Sequence, residues 1–119
     1  MSEHTEQVRL ITWAHQWQDE YPELEMLFAI PNGGHRHKAT AAKMKAEGVK
    51  RGVPDLFLAV PRGNWHGLFI EMKYGKNKPT AHQFRWLEKL AALGYKVAIC
   101  YGCTDAKNVI LDYLGEASC

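Results

Sequence analysis

Apolar residues recur at helical spacing near the start of the chain. Leu10, Trp13, Ala14 and Trp17 form one stripe, which predicts a helix from Ser2 to about Gln18. Tyr21-Pro22 breaks it, and the run from Leu24 to Ile30 reads as a strand. Pro31-Asn32-Gly33-Gly34 is a turn signal, followed by a short alanine-rich helix from Ala39 to Glu47 that closes at Gly48. Two apolar runs, Asp55 to Val60 and Gly67 to Lys73, flank Pro61, Gly63 and Asn64, the pattern of a hairpin. Thr80 with Gln83 three residues on forms a capping box. The helix it opens runs to about Leu93, with Phe84, Leu87, Leu90 and Ala91 inward, and stops at Gly94. Tyr95 to Tyr101 is a near-continuous apolar strand, and Thr104 or Asp105 caps a last helix carrying Val109, Ile110 and Leu114 as far as Gly115. The order is αβαββαβα. The helix after the hairpin can cross over the sheet, so a right-handed βαβ unit joins the second hairpin strand to the last one.

A chain of 119 residues supports one domain, residues 1–119, with a single core and no need of disulfides. Its 46% apolar and 24% charged residues are those of an ordinary soluble protein. No apolar run is long enough to span a bilayer and no signal-peptide pattern opens the chain, which points to the cytoplasm and away from membranes. Cys100, Cys103 and Cys119 are an odd set. Cys100 and Cys103 have zinc-like spacing, but no second Cys or His pair follows, so a buried thiol and a strand-end thiol are the better reading.

The hairpin changes this picture. Asp55 opens its first run, and Glu71 and Lys73 close the second. Side chains alternate along a strand, so Glu71 and Lys73 share a face. A turn centred near Gly63 sets Asp55 opposite Glu71, with Cβ atoms roughly 4.5–5.5 Å apart. Two carboxylates that close repel, and burial pushes one towards protonation. A divalent cation such as Mg²⁺ or Mn²⁺ reverses that penalty, because it takes hard oxygen ligands. Glu-x-Lys alone is common, however, and a surface hairpin bearing an ordinary ion pair has the same pattern. Counting back four from Leu10 places Glu6 on the inward stripe of the first helix. There it either favours the positive end of the helix dipole or reaches the hairpin carboxylates. Gln83 either closes its capping box or faces the same site.

Net charge is only +2, so attraction to a polyanion must come from local clustering. His35-Arg36-His37-Lys38 follows the glycine pair, and Lys43, Lys45, Lys50 and Arg51 carry positive charge up to Gly52. The first group is either a solvated loop or a phosphate contact shared by backbone N–H groups and Arg36. A basic approach to an acidic metal site suits a nuclease.

With Pro54-Asp55 and Glu71-Met72-Lys73 in this order of elements, the chain resembles the PD-(D/E)xK nuclease superfamily. More narrowly it is similar to the VRR-NUC family, through Ile30 to Gly34, Lys45 to Leu56 and His66 to Lys73, a likeness that covers nearly the whole chain. The resemblance implies a restriction-endonuclease-like α/β fold, a mixed central sheet flanked by helices, in a stand-alone bacterial or phage-type member. It implies that Asp55, Glu71 and the Met72 carbonyl hold Mg²⁺ or Mn²⁺, and that Lys73 positions the attacking water. Glu6 matches the helix-borne acid of related nucleases, and Gln83 the polar residue on the helix after the Glu-x-Lys strand. Asn32, Arg36, Lys38, Lys50, Arg51, Lys76 and Lys78 are the candidate DNA contacts. Small members are similar to homodimeric Holliday-junction resolvases, which fits two opposed cuts by two symmetry-related sites. The expectation is therefore an Mg²⁺-dependent, structure-specific endodeoxyribonuclease acting on four-way junctions in recombination or repair. Nucleases for flaps, nicked or single-stranded DNA, and a non-catalytic module binding branched DNA, are the alternatives. A small-molecule metallohydrolase fits poorly with a basic rim. Trp13, Trp17, Trp65 and Trp86 are divided between core and interface without assignment.

Overall fold

The computed structural model describes residues 1–31 and 38–116. Helix α1 spans Glu3–Trp17, and the Ser2 hydroxyl caps it by accepting from Thr5 N. Leu10 and Ala14 are buried, Trp13 packs against the core, and Trp17 at the exposed end stacks on Tyr21 with ring centroids 6.2 Å apart. The strand expected over Leu24–Ile30 is shorter. Pro22 starts a 3-10 turn, Pro22–Met26, that buries Leu24, and only Leu27–Ala29 pairs as β1. Proline pre-sets the first φ of such a turn and delays the extended chain.

Helix α2 (Lys38–Ala46) buries none of its residues. The hairpin follows as β2 (Leu56–Leu58) and β3 (Leu68–Lys73), with Leu56 opposite Ile70 and Leu58 opposite Leu68. That register, extended by one pair, sets Asp55 opposite Glu71, as the turn at Gly63 predicts. Helix α3 (Ala81–Ala92) leads to β4 (Lys96–Tyr101), parallel to β3, and α4 covers Cys103–Leu114. The sheet order is β1-β2-β3-β4, antiparallel except for the last pair. The fold is thus the expected mixed sheet flanked by helices.

Alternation decides which face each residue takes. Leu56, Leu58, Leu68, Ile70, Met72 and Cys100 form one face of the core, sealed by Leu10 and Ala14 of α1 and by Ala106, Ile110 and Leu114 of α4. The opposite face carries Asp55, Phe57, Phe69, Glu71 and Lys73. Phe57 stacks on Phe69 at 4.2 Å between centroids and meets Phe28 and Tyr95 edge-on. Helix α3 meets the sheet along β4, where it buries Leu87 and Leu90. Phe84 and Ala91, expected inward, lie nearer its ends and stay exposed.

Neither Thr104 nor Asp105 is the N-cap of α4. Gly102 holds that position at φ 97°, and the orphan N–H of Cys103 is taken by Glu6 Oε1 at 3.0 Å, from α1. Asp105 instead accepts from Tyr101 N at 2.8 Å. Glu6 also meets the Arg9 guanidinium at 3.2 Å, so it joins the two helices that seal the core. The Cys103 N–H bond holds the Glu6 carboxyl below its ordinary value of 4.5, and Arg9 adds to this. A lowered carboxyl contributes stability above its unfolded value, and that contribution is lost as pH falls through the folded one.

Glu6→Ala therefore lowers the melting temperature by several degrees near neutral pH, with a smaller loss below about pH 4. Glu6→Gln, whose amide oxygen can still accept from Cys103 N, melts close to wild type. Thermal melts followed by circular dichroism at both pH values check this, and equal melting of the alanine variant and wild type refutes it.

Candidate active site

Strand pairing between β2 and β3 ends just where the site begins. Beyond Ile70 the strand β3 continues without a ladder partner on the β2 side, and the Asp55 side chain takes over there. Its Oδ2 accepts from Met72 N at 2.7 Å. In a strand the N–H and C=O of one residue point to the same side, so the Met72 carbonyl also faces the Asp55 side. The backbone of Asp55 is fixed in turn, because its carbonyl accepts from Ile30 N at 2.8 Å.

Glu71 is only 1% exposed, and Lys73 beside it is 6% exposed. The Lys73 ammonium lies 3.7 Å from Glu71 Oε2. Glu71 Oε1 is the one buried side-chain oxygen or nitrogen among the described residues without a hydrogen-bond partner. Burial pushes the Glu71 carboxyl up to about 8, and the adjacent Asp55 charge adds to this, against the pull of Lys73. Burial also raises Asp55, and the Met72 N–H opposes it. Two adjacent carboxyls thus share one ammonium, so one negative charge is left without a cation.

That pattern fits a hard divalent cation. Two oxygen donors, one of them orphaned and buried, and a nearby backbone carbonyl suit Mg²⁺ or Mn²⁺. Among the described residues no group of three or more His, Cys, Asp or Glu side chains is arranged to hold a metal, so any further ligands would be carbonyl oxygen and water. Cys100 and Cys103 are both buried and form no disulfide. Burial pushes the Cys100 thiol up to about 12, which makes it inert.

The remaining candidates separate clearly. Glu6 is engaged at the start of α4, as above. Gln83 closes the capping box, its Oε1 accepting from Thr80 N at 2.8 Å and its own N–H donating to Thr80 Oγ1 at 3.2 Å. Lys38, Lys50, Arg51, Lys76 and Lys78 are all exposed. Asn32 and Arg36 lie outside the described residues. Glu3 is the residue that sequence reasoning missed. Its charge raises both Asp55 and Glu71, and its Oε2 accepts from Asn77 Nδ2 at 3.1 Å, in the loop after β3. The signal was present: Glu3 lies seven residues before Leu10, on the same helical stripe as Glu6.

The VRR-NUC domain model matches residues 1–104, and the chain belongs to that family of nuclease domains. Among solved structures, one named VRR_NUC domain protein superposes with a TM-score of 0.77 at 28% identity, covering 97% of this chain and 89% of that one. Among curated proteins, the chain is similar to Putative nuclease p44 of Acyrthosiphon pisum secondary endosymbiont phage 1, 42% identical over 50 residues. That stretch is 42% of this chain and 52% of the phage protein, so the match spans about half the relative's length.

The raised carboxyl has a consequence for stability. A group whose folded value exceeds its unfolded one binds protons more tightly in the folded state. Its penalty is absent below the unfolded value of 4.5 and fully developed above about 8. The metal-free protein therefore loses stability as pH rises from about 5 to about 9, and Glu71→Gln recovers on the order of 1–2 kcal/mol at the upper end. Urea denaturation in EDTA at both pH values measures the difference. Equal stability of the two proteins at high pH would contradict the coupling.

Proposed function

We propose that this protein is a divalent-metal-dependent endodeoxyribonuclease that recognises branched DNA, with the four-way junction as its substrate and a homodimer as its working form. One observation carries the catalytic part: a carboxylate pair, Asp55 and Glu71, with a buried orphaned oxygen, sits beside a buried lysine on one sheet face. A protein with no cation to bind has no reason to keep that arrangement, since removing either acid would relieve it.

Asp55, Glu71 and the Met72 carbonyl would hold Mg²⁺ or Mn²⁺, which supplies charge neutralisation at the phosphate and a lowered pKa for a bound water. The chain's own groups do the rest. Asp55 is oriented by the Met72 N–H, so its free oxygen has a fixed direction. Lys73 presents ammonium donors on the same face and can orient the attacking water or stabilise charge that develops on the phosphate. Glu3 adds negative charge at the edge of the site and is itself positioned by Asn77. The exposed cations Lys38, Lys50, Arg51, Lys76 and Lys78 would meet phosphates, which positions DNA by shape more than by sequence. Two opposed cuts in a junction need two sites related by a two-fold axis, which is the argument for the dimer. No described helix is long and apolar enough to cross a membrane.

Asp55→Ala, Glu71→Ala and Lys73→Ala should each reduce cleavage of a labelled four-way junction in Mg²⁺ by about 100-fold or more, while junction binding persists. EDTA should abolish wild-type cutting. Full activity in any of the three variants refutes the site. A parallel panel of flap, nicked and single-stranded substrates ranks the DNA structures, and light scattering at micromolar concentration tests the dimer.

A further inference from the structure

The three ion pairs among the described residues engage Arg9, Arg62 and Lys73. Lys50, Arg51, Arg85 and Lys89 therefore have no carboxylate partner there. Three of these cations, Lys50, Arg85 and Lys89, line one open cleft of about 260 Å³ together with Trp86. The cleft is assembled from two segments. Arg85 and Lys89 are four residues apart and share a face of α3, while Lys50 and Arg51 come from the chain that leads into β2. The Trp86 indole N–H joins the segments by donating to the Arg51 carbonyl at 3.1 Å. Gly52 allows the close approach: its φ is +88°, and a Cβ there would lie 2.8 Å from the His82 Cβ. Like charges four residues apart on a helix cost a little stability, offset only in part by Glu88 on the same helix, and an anionic partner would relieve the rest.

We propose that this cleft binds the phosphate backbone of a duplex arm to one side of the scissile bond. The inference rests on the nuclease reading and adds to it Arg85 and Lys89, on a helix with no acid at its capped end. Duplex is favoured over single-stranded DNA because the cleft offers three cations but only one aromatic side chain, Trp86, which is half-buried and held through its N–H, rather than a row of stacking platforms. Distance sets the register. Lys50 and Asp55 are five residues apart, so their Cα atoms are separated by at most about 17 Å. At about 3.4 Å of rise per base pair, the contacted phosphates lie within roughly five to seven base pairs of the cut.

The test is binding by fluorescence anisotropy in EDTA over a salt series, using the full chain and nicked duplexes of decreasing arm length. The double variant Arg85→Gln/Lys89→Gln should bind about tenfold more weakly at low salt, and its log–log salt slope should fall by about 2. Wild type should lose affinity when the arm shortens below about five base pairs, and the double variant should be indifferent to that trimming. Lys107→Gln, on α4, is the control and should match wild type. An unchanged slope, or the same arm-length dependence in the double variant, overturns the proposal. Equal weakening on single strands of the same length overturns the choice of duplex. Absence of cleavage by wild type in Mg²⁺, with slope and length effects intact, would instead remove the nuclease reading and leave the cleft standing.

Discussion

The structure depends on one unfavourable interaction, the burial of the Glu71 carboxylate beside Asp55. Either acid alone could be balanced by Lys73 at 3.7 Å from Glu71 Oε2. Together they leave one oxygen without a donor and push Glu71 up to about 8. Burying an uncompensated charge costs several kcal/mol in principle, and the usual escape is protonation. Here a value of about 8 leaves Glu71 mostly protonated near neutral pH, while Lys73 and, at Asp55, the Met72 N–H pull towards the ionised forms. The pair thus lacks a full set of donors, the shortage that a hard divalent cation would relieve.

Much of the remaining architecture supports that strain. The β2–β3 register sets the two acids opposite each other, and the other face of the same strands supplies the core through Leu56, Leu58, Leu68, Ile70 and Met72. A slip of one residue would bury the acids in that core and expose the leucines, so the register is enforced by the hydrophobic effect itself. Glu6 performs a separate task. By accepting from Cys103 N it joins α1 to α4, the two helices that seal the core face. Two acids on one helical stripe therefore divide the work: Glu3 faces the site electrostatically, and Glu6 caps a neighbouring helix.

The sequence made the strand pairing legible because alternation and a Gly63-centred turn are local signals. Asp55 opposite Glu71 follows from counting alone. The division between Glu3 and Glu6 was not legible, since both lie on the inward stripe and only the placement of α4 distinguishes them. The same holds for the cap of α4. Thr104 and Asp105 are good capping residues, yet a carboxylate 97 residues away in sequence supplies the acceptor. Phe84 departs from the expectation for a related reason: helical periodicity gives a face but not how far the opposing surface extends, and the strand that α3 packs against is β4. Gln83 illustrates the reverse case, in which a local motif, the capping box, forms as the sequence predicts.

The charge distribution follows from the same constraint. An acidic centre of Asp55 and Glu71, with Glu3 at its edge, repels a phosphodiester even though it would hydrolyse one. Lys73 offsets one charge but is buried, so it attracts little at a distance. Any long-range attraction must come from cations that are exposed and unpaired, and with a net charge of only +2 it depends on where they cluster rather than on the overall balance. The chain concentrates them on the segment that leads into Asp55 and on the helix packed against it. Gly52 and Trp86 fix that proximity through backbone geometry rather than through charge, which lets like-charged side chains remain together without collapsing onto a local acid. Under the proposed reading, attraction and catalysis would be separated by five residues of chain, with Lys50 on the phosphate side and Asp55 at the acidic centre.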